Sequence, residues 1–126
     1  MTARILVVED NPLNLKLIRD VLEFRGFTVL TACSGEEGVA VATTETVDLV
    51  LMDLQLPGIG GHEALLLLRA DPRARDVPVI AVTAFAMKDD LERAQRAGFD
   101  GYIAKPISVR TLPEQLAAFL PGAGDG

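Results

Sequence analysis

Apolar positions in this chain fall into two alternating kinds of segment, short continuous runs and longer stretches with helical spacing. The runs cover 5–8, 47–52, 77–82 and 101–104, and 28–32 reads as a further strand. Runs that are apolar nearly throughout, above all 47–52, imply burial on both faces, as in the central strands of a parallel sheet. Between them lie the helical stretches. Asn11-Pro12 supplies an N-cap and a proline at the first helical position, followed by Leu13, Leu17, Val21 and Phe24 with Ile18 and Leu22 alongside, and Gly26 ends the pattern. Ser34-Gly35-Glu36-Glu37 is a capping-box signature that opens a second helix. A third helix is expected from about His62 to Ala70, a polar fourth over 87–97, and a fifth capped by Ser108 and running through Leu112, Leu116, Phe119 and Leu120. Residues 121–126 lack apolar anchors and are expected to fray, which leaves one domain over 1–120.

Five strands alternating with five helices on short connections predict an α/β fold with a parallel sheet covered on both faces by right-handed crossovers. In open sheets of this type ligands bind beyond the carboxyl ends of the strands. Polar residues gather at that edge. Glu9 and Asp10 close the first run, Asp53 the third, Thr83 the fourth and Lys105 the fifth, and the loop 54–61 after Asp53 holds one proline and three glycines.

Composition narrows the possible functions. The chain has 126 residues, is 49% hydrophobic and 24% charged, and carries 18 acidic against 12 basic side chains for a net charge of −6. That is enough for one core without special staples, and with no Lys/Arg cluster it argues against direct nucleic-acid binding. No apolar stretch approaches the roughly 20 residues that cross a bilayer. The N-terminus has no secretory pattern, so a cytoplasmic protein is expected. Cys33, the one cysteine, is expected to be an ordinary small buried residue. His62, the one histidine, reads as a helix-start residue without ligand spacing.

Three clustered carboxylates need either a bound cation or a raised pKa on one member. A divalent ion, best Mg2+, suits an all-oxygen set. Asp10 and Asp53 are candidate direct ligands, Glu9 could act through water, and the Gln55 carbonyl could complete the set. Beside a metal and a lysine, a carboxylate can accept a phosphoryl group, because that transfer is mostly positioning and charge neutralisation. Asp53 is the candidate nucleophile, Lys105 the counter-charge, and Thr83 a hydroxyl donor to another phosphoryl oxygen.

The chain closely resembles bacterial response-regulator receiver domains. The resemblance rests on Ile5-Leu6-Val7-Val8-Glu9-Asp10-Asn11, on Asp48-Leu49-Val50-Leu51-Met52-Asp53 with Leu56-Pro57-Gly58 and Gly61, on Val82-Thr83-Ala84, and on Gly101-Tyr102-Ile103-Ala104-Lys105-Pro106. Asn11-Pro12-Leu13-Asn14 and Thr83-Ala84-Phe85-Ala86-Met87 are most similar to single-domain regulators of the cell-division type and to receivers of hybrid kinases. The resemblance implies a flavodoxin-like fold of strand order 2-1-3-4-5. It also implies transfer from a phosphohistidine onto Asp53 with Mg2+ and later loss by hydrolysis. Thr83 and Tyr102 would be the switch pair, and the α4-β5-α5 surface the readout to an effector protein. The first helix, over 14–24 with Leu15 as an apolar contact, would dock a histidine kinase or histidine phosphotransfer protein. One departure is Glu9, where Asp is commoner.

Met1 and the short tail favour a complete protein over a receiver excised from a hybrid kinase. Three other functions compete. A haloacid-dehalogenase-type phosphatase would put its nucleophile after the first strand in an Asp-x-Asp pattern, and a flavin-binding module would place a Ser/Thr/Gly phosphate loop there. This chain has Glu9-Asp10-Asn11-Pro12 at that point. A receiver that docks without ever being phosphorylated is disfavoured by the presence of all five site residues.

Overall fold

The structure is a computed structural model and describes residues 3–56, 58–84 and 88–120. Ten elements alternate in chain order: β1 (Arg4–Val8), α1 (Pro12–Phe24), β2 (Thr28–Ala32), α2 (Gly35–Thr44), β3 (Leu49–Asp53), α3 (Gly61–Ala70), β4 (Val79–Thr83), α4 (Lys88–Ala97), β5 (Gly101–Ala104) and α5 (Leu112–Ala117). All strand pairs are parallel, and the sheet runs β2-β1-β3-β4-β5, the flavodoxin-like order. Expected elements at Pro57, at 85–87 and in the tail 121–126 lie outside the described residues.

Alternation along the strands fills two core layers. Ile5, Val7, Leu49, Leu51, Ile80 and Val82 point to one face, where Ile18 and Leu22 of α1 and Leu112 and Leu116 of α5 cover them. Leu6, Val8, Val50, Met52, Val79 and Ala81 point to the other, under Ala42, Leu65, Leu68 and Ala94 of α2, α3 and α4. Every residue of β3 and β4 is buried, as the continuous apolar runs require. Among the described residues no helix is long and apolar enough to cross a membrane.

Local chemistry explains most element ends. Asn11 Oδ1 accepts from the Leu13 and Asn14 N–H groups, with Pro12 in the first turn, and Gly26 takes φ +94° just past the last turn of α1. Ser34 Oγ accepts from Glu37 N–H at 3.1 Å, while the Glu37 carboxylate turns back to Cys33 N–H.

Several expectations need correction. The core stripe of α1 is Ile18 and Leu22 with Leu15 packed partly against them, whereas Leu13, Leu17 and Phe24 are exposed. A helix with apolar residues on more than one side does not declare its buried face. The strand expected over 47–52 starts at Leu49, because Asp48 is spent on the entry to β1, accepting from Arg4 N–H at 2.7 Å. Similarly, β4 starts after Pro78, which has no N–H for the ladder. The fifth helix begins at Leu112, and Ser108 contributes its carbonyl, not its side chain, to the preceding turn. A start at Ser108 would bury Pro113 beyond the first turn, where its missing N–H and its ring break a helix. Cys33 is exposed, at the sheet's carboxyl edge.

Candidate functional site at the carboxyl edge of the sheet

Main-chain bonds fix the polar stops in place. Glu9 N–H donates to Ala32 O at 3.0 Å, Leu54 N–H to Val82 O at 2.9 Å and Lys105 N–H to Thr83 O at 2.9 Å, which extends the ladder past the apolar runs. Asp53 and Thr83 are the last residues of β3 and β4. Their side chains therefore cannot wander far from the sheet edge.

Five of the predicted site residues, with Gln55, converge there. Lys105 Nζ donates to Asp53 Oδ2 at 2.7 Å, and Gln55 N–H donates to Asp53 Oδ1 at 2.8 Å. Carboxylate oxygens of Glu9, Asp10 and Asp53 lie within 4.8 Å of one another. Asp53, Glu9 and Thr83 are buried at 2%, 3% and 4% exposure, while Asp10 stands exposed at the rim. An open cleft of about 480 Å³ adjoins the cluster, with Glu9, Lys105, Ala84 and Leu17 in its lining.

Electrostatics follow from this crowding. Burial, then the hydrogen bond and charge of Asp53, push the Glu9 carboxyl up to about 7, against the opposing pull of Asn11 N–H and Lys105. In this crowded, buried setting the protonated form of Glu9 is favoured relative to a free carboxyl, which eases the negative charge of the cluster. An all-oxygen set with one rim acid and two buried ones fits a hard divalent cation such as Mg2+, which keeps several of its waters.

Tyr102 is not brought to the cluster. It lies in β5 opposite Ala81, 44% exposed, on the sheet face away from the buried Ile103 and so on the α4 side. His62 is exposed on α3, with its ring edge against Phe99, and joins no ligand group among the described residues. The Gln55 side chain was missed as a site element. Its Nε2 lies 3.2 Å from Thr83 Oγ1, and Ala84 N–H donates to its Oε1 at 3.3 Å. Nothing in the local sequence signals a contact that spans 28 positions.

The response regulator receiver domain model matches residues 5–117. The chain belongs to the response regulator receiver domain family. The polar-differentiation response regulator DivK of Brucella ovis is similar over its whole length, 46% identical across 123 residues and 98% of this chain. The receiver domain of the sensor histidine kinase PA1611 from Pseudomonas aeruginosa, solved with a magnesium ion in its active-site cleft, is 36% identical. It superposes with a TM-score of 0.86 over 94% of this chain and 98% of that one. The chemotaxis regulator CheY4 of Vibrio cholerae shares the fold, with a TM-score of 0.90 at 24% identity over 95% of this chain and all of the other. This receiver is therefore a two-component signalling protein, not a classical enzyme. Its acidic cluster is consistent with a phosphorylation site.

Proposed function

We propose that this receiver takes a phosphoryl group from a phosphohistidine onto Asp53 with Mg2+, and that the modified domain changes its α4-β5-α5 surface to alter the binding of an effector protein. The observation that carries this reading is the Asp53–Lys105 contact of 2.7 Å inside a buried acid cluster. One Asp53 oxygen attacks phosphorus, the P–N bond of the phosphohistidine breaks, and the imidazole nitrogen keeps the electron pair and takes up a proton. Lys105 then faces a phosphoryl oxygen in place of the carboxylate alone, and the Thr83 hydroxyl donates to another. Water later cleaves the acyl phosphate, restoring the carboxylate and releasing phosphate.

Asp10, Asp53 and the Gln55 carbonyl would hold the magnesium ion, with Glu9 reached through water. Bound there, the ion supplies positive charge to the phosphoryl oxygens as their own charge redistributes. Thr83 and Tyr102 form the switch. Movement of Thr83 toward phosphate opens space into which the exposed Tyr102 ring turns, and such a change needs only the roughly 1–3 kcal/mol usual for allosteric coupling.

The kinase or phosphotransfer partner docks on α1. The contacts it meets are Leu13 and Leu17, exposed at 78% and 50%, in place of Leu15, and Leu17 lines the cleft that leads to Lys105.

Incubation with a small phosphoramidate donor and Mg2+ should add one phosphoryl group by intact mass, and chelation or Asp53→Asn should prevent it. Uptake that survives Asp53→Asn refutes the assignment. A Thr83→Ala protein that takes phosphate and binds its effector as tightly as the wild type would sink the switch.

A further inference from the structure

Gln55 sits two residues beyond the acceptor, and its side chain crosses from the β3–α3 loop to the end of β4. The Ala84 main chain N–H can only donate, so the atom it meets at 3.3 Å is the amide oxygen Oε1. That fixes the orientation of the amide and turns Nε2 to Thr83 Oγ1, 3.2 Å away, where the threonine oxygen accepts. One exposed side chain thus engages at once Thr83, the last residue of β4, and Ala84, the residue just past it. Both border the phosphoryl position, since Thr83 is buried beside the acid cluster and Ala84 lines the same cleft as Glu9 and Lys105.

We propose that the Gln55 side chain is a positioning residue that holds Thr83 and Ala84 in their phosphate-free arrangement and releases them when Asp53 carries a phosphoryl group. The proposal rests on Asp53 being the acceptor. A phosphoryl oxygen is a charged acceptor, and charge-assisted hydrogen bonds are about twice as strong as neutral ones. Such an oxygen therefore outcompetes Oε1 for the Ala84 N–H. Loss of that bond also loosens the amide from Thr83, because a single planar group makes both contacts. The amide thereby stabilises the off state without touching the reacting atoms.

The test compares wild type with Gln55→Met, which keeps chain length and the main-chain carbonyl but can neither donate nor accept strongly, and with Gln55→Ala. In Mg2+-free and phosphate-free protein, hydrogen exchange at Ala84 N–H should speed up by roughly three- to tenfold in both variants, the effect of about one neutral hydrogen bond. The amides of Leu51 and Val82 should keep their protection, which shows that the fold is intact. Beryllofluoride with Mg2+, a mimic of the phosphoryl group on an aspartate, should bind both variants about three- to tenfold more tightly than wild type. Unchanged exchange at Ala84, or beryllofluoride binding that is equal or weaker in both variants, overturns the proposal. Wild-type protein that takes no phosphoryl group from phosphoramidate refutes the acceptor assignment and the proposal with it. Normal uptake with an unmoved affinity refutes the proposal alone.

Discussion

The two ends of the sheet both carry acids, but they treat them in opposite ways. At the amino end Asp48 and Asp100 meet fixed donors. Asp48 accepts from Arg4 N–H at 2.7 Å, and Asp100 Oδ2 accepts from Val79 N–H and from Arg69 Nη2, both at 2.8 Å. Arg69 also donates to the carbonyls of Arg75, Val77 and Gly98, so one guanidinium ties the end of α3 to the entries of β4 and β5. At the carboxyl end carboxylate oxygens of Glu9, Asp10 and Asp53 crowd within 4.8 Å of one another, and the Lys105 ammonium pairs with Asp53. The first arrangement is complete in itself and stabilises the fold. The second carries unbalanced negative charge, and it becomes complete only by taking up a proton, a cation or a group that Lys105 can share.

Substitutions at the two ends should therefore separate activity from stability. The largest effect is expected for Lys105→Met, which should slow phosphoryl uptake from a small donor by roughly 10²-fold, the usual cost of removing one preorganised electrostatic partner. Equal uptake rates in single-turnover measurements would show that the lysine is a bystander. Arg69→Ala should cost about 2–3 kcal/mol in urea unfolding, from the loss of several hydrogen bonds to a charged donor. That loss should be the same with and without Mg2+, and a loss that Mg2+ relieves would mean that the two ends are coupled.

Between pH 5 and 7 the pH dependence should come from the carboxyl end, through Glu9. With its folded pKa raised from 4.5 to about 7, Glu9 keeps in the native state a proton that the unfolded chain has released. Its contribution is complete below about pH 4.5 and is lost as pH rises through 7, by an amount on the order of 2 kcal/mol in metal-free protein. Glu9→Gln should flatten that slope, and saturating Mg2+ should invert it. A metal-free stability that rises between pH 5 and 7 in wild type but not in Glu9→Gln would contradict the assignment. The smallest effect concerns the entry to α1. Asn11→Ala removes an N-cap that accepts from two N–H groups, and thermal unfolding should register about 1 kcal/mol.

Much of this was legible in the sequence where one residue type settles one physical question. Doubly buried strands must be apolar throughout, so 5–8 and the body of 47–52 gave their places away, and polar residues at their carboxyl ends had to meet at one edge. Prolines and glycines marked Pro12 and Gly26 for the same reason, that few conformations admit them. The buried face of α1 was not legible, because Leu13 and Leu17 compete with Leu15, Ile18 and Leu22 until the sheet is there to choose. Ser108 resembled a cap, yet Pro113 five residues on sets the true start of α5. The presence of Gln55 could be read, but only as a carbonyl. The direction of its side chain depends on β4, which pairs with β3 only in the folded sheet.

The acceptor assignment for Asp53 is tested most directly by trapping. Protein treated with phosphoramidate and Mg2+ is reduced with borohydride, which converts an aspartyl phosphate to homoserine, and the modified residue is located by peptide sequencing in a mass spectrometer. Homoserine at position 53 alone is the predicted result, and homoserine at position 10, or none in protein shown to carry phosphate, would contradict it.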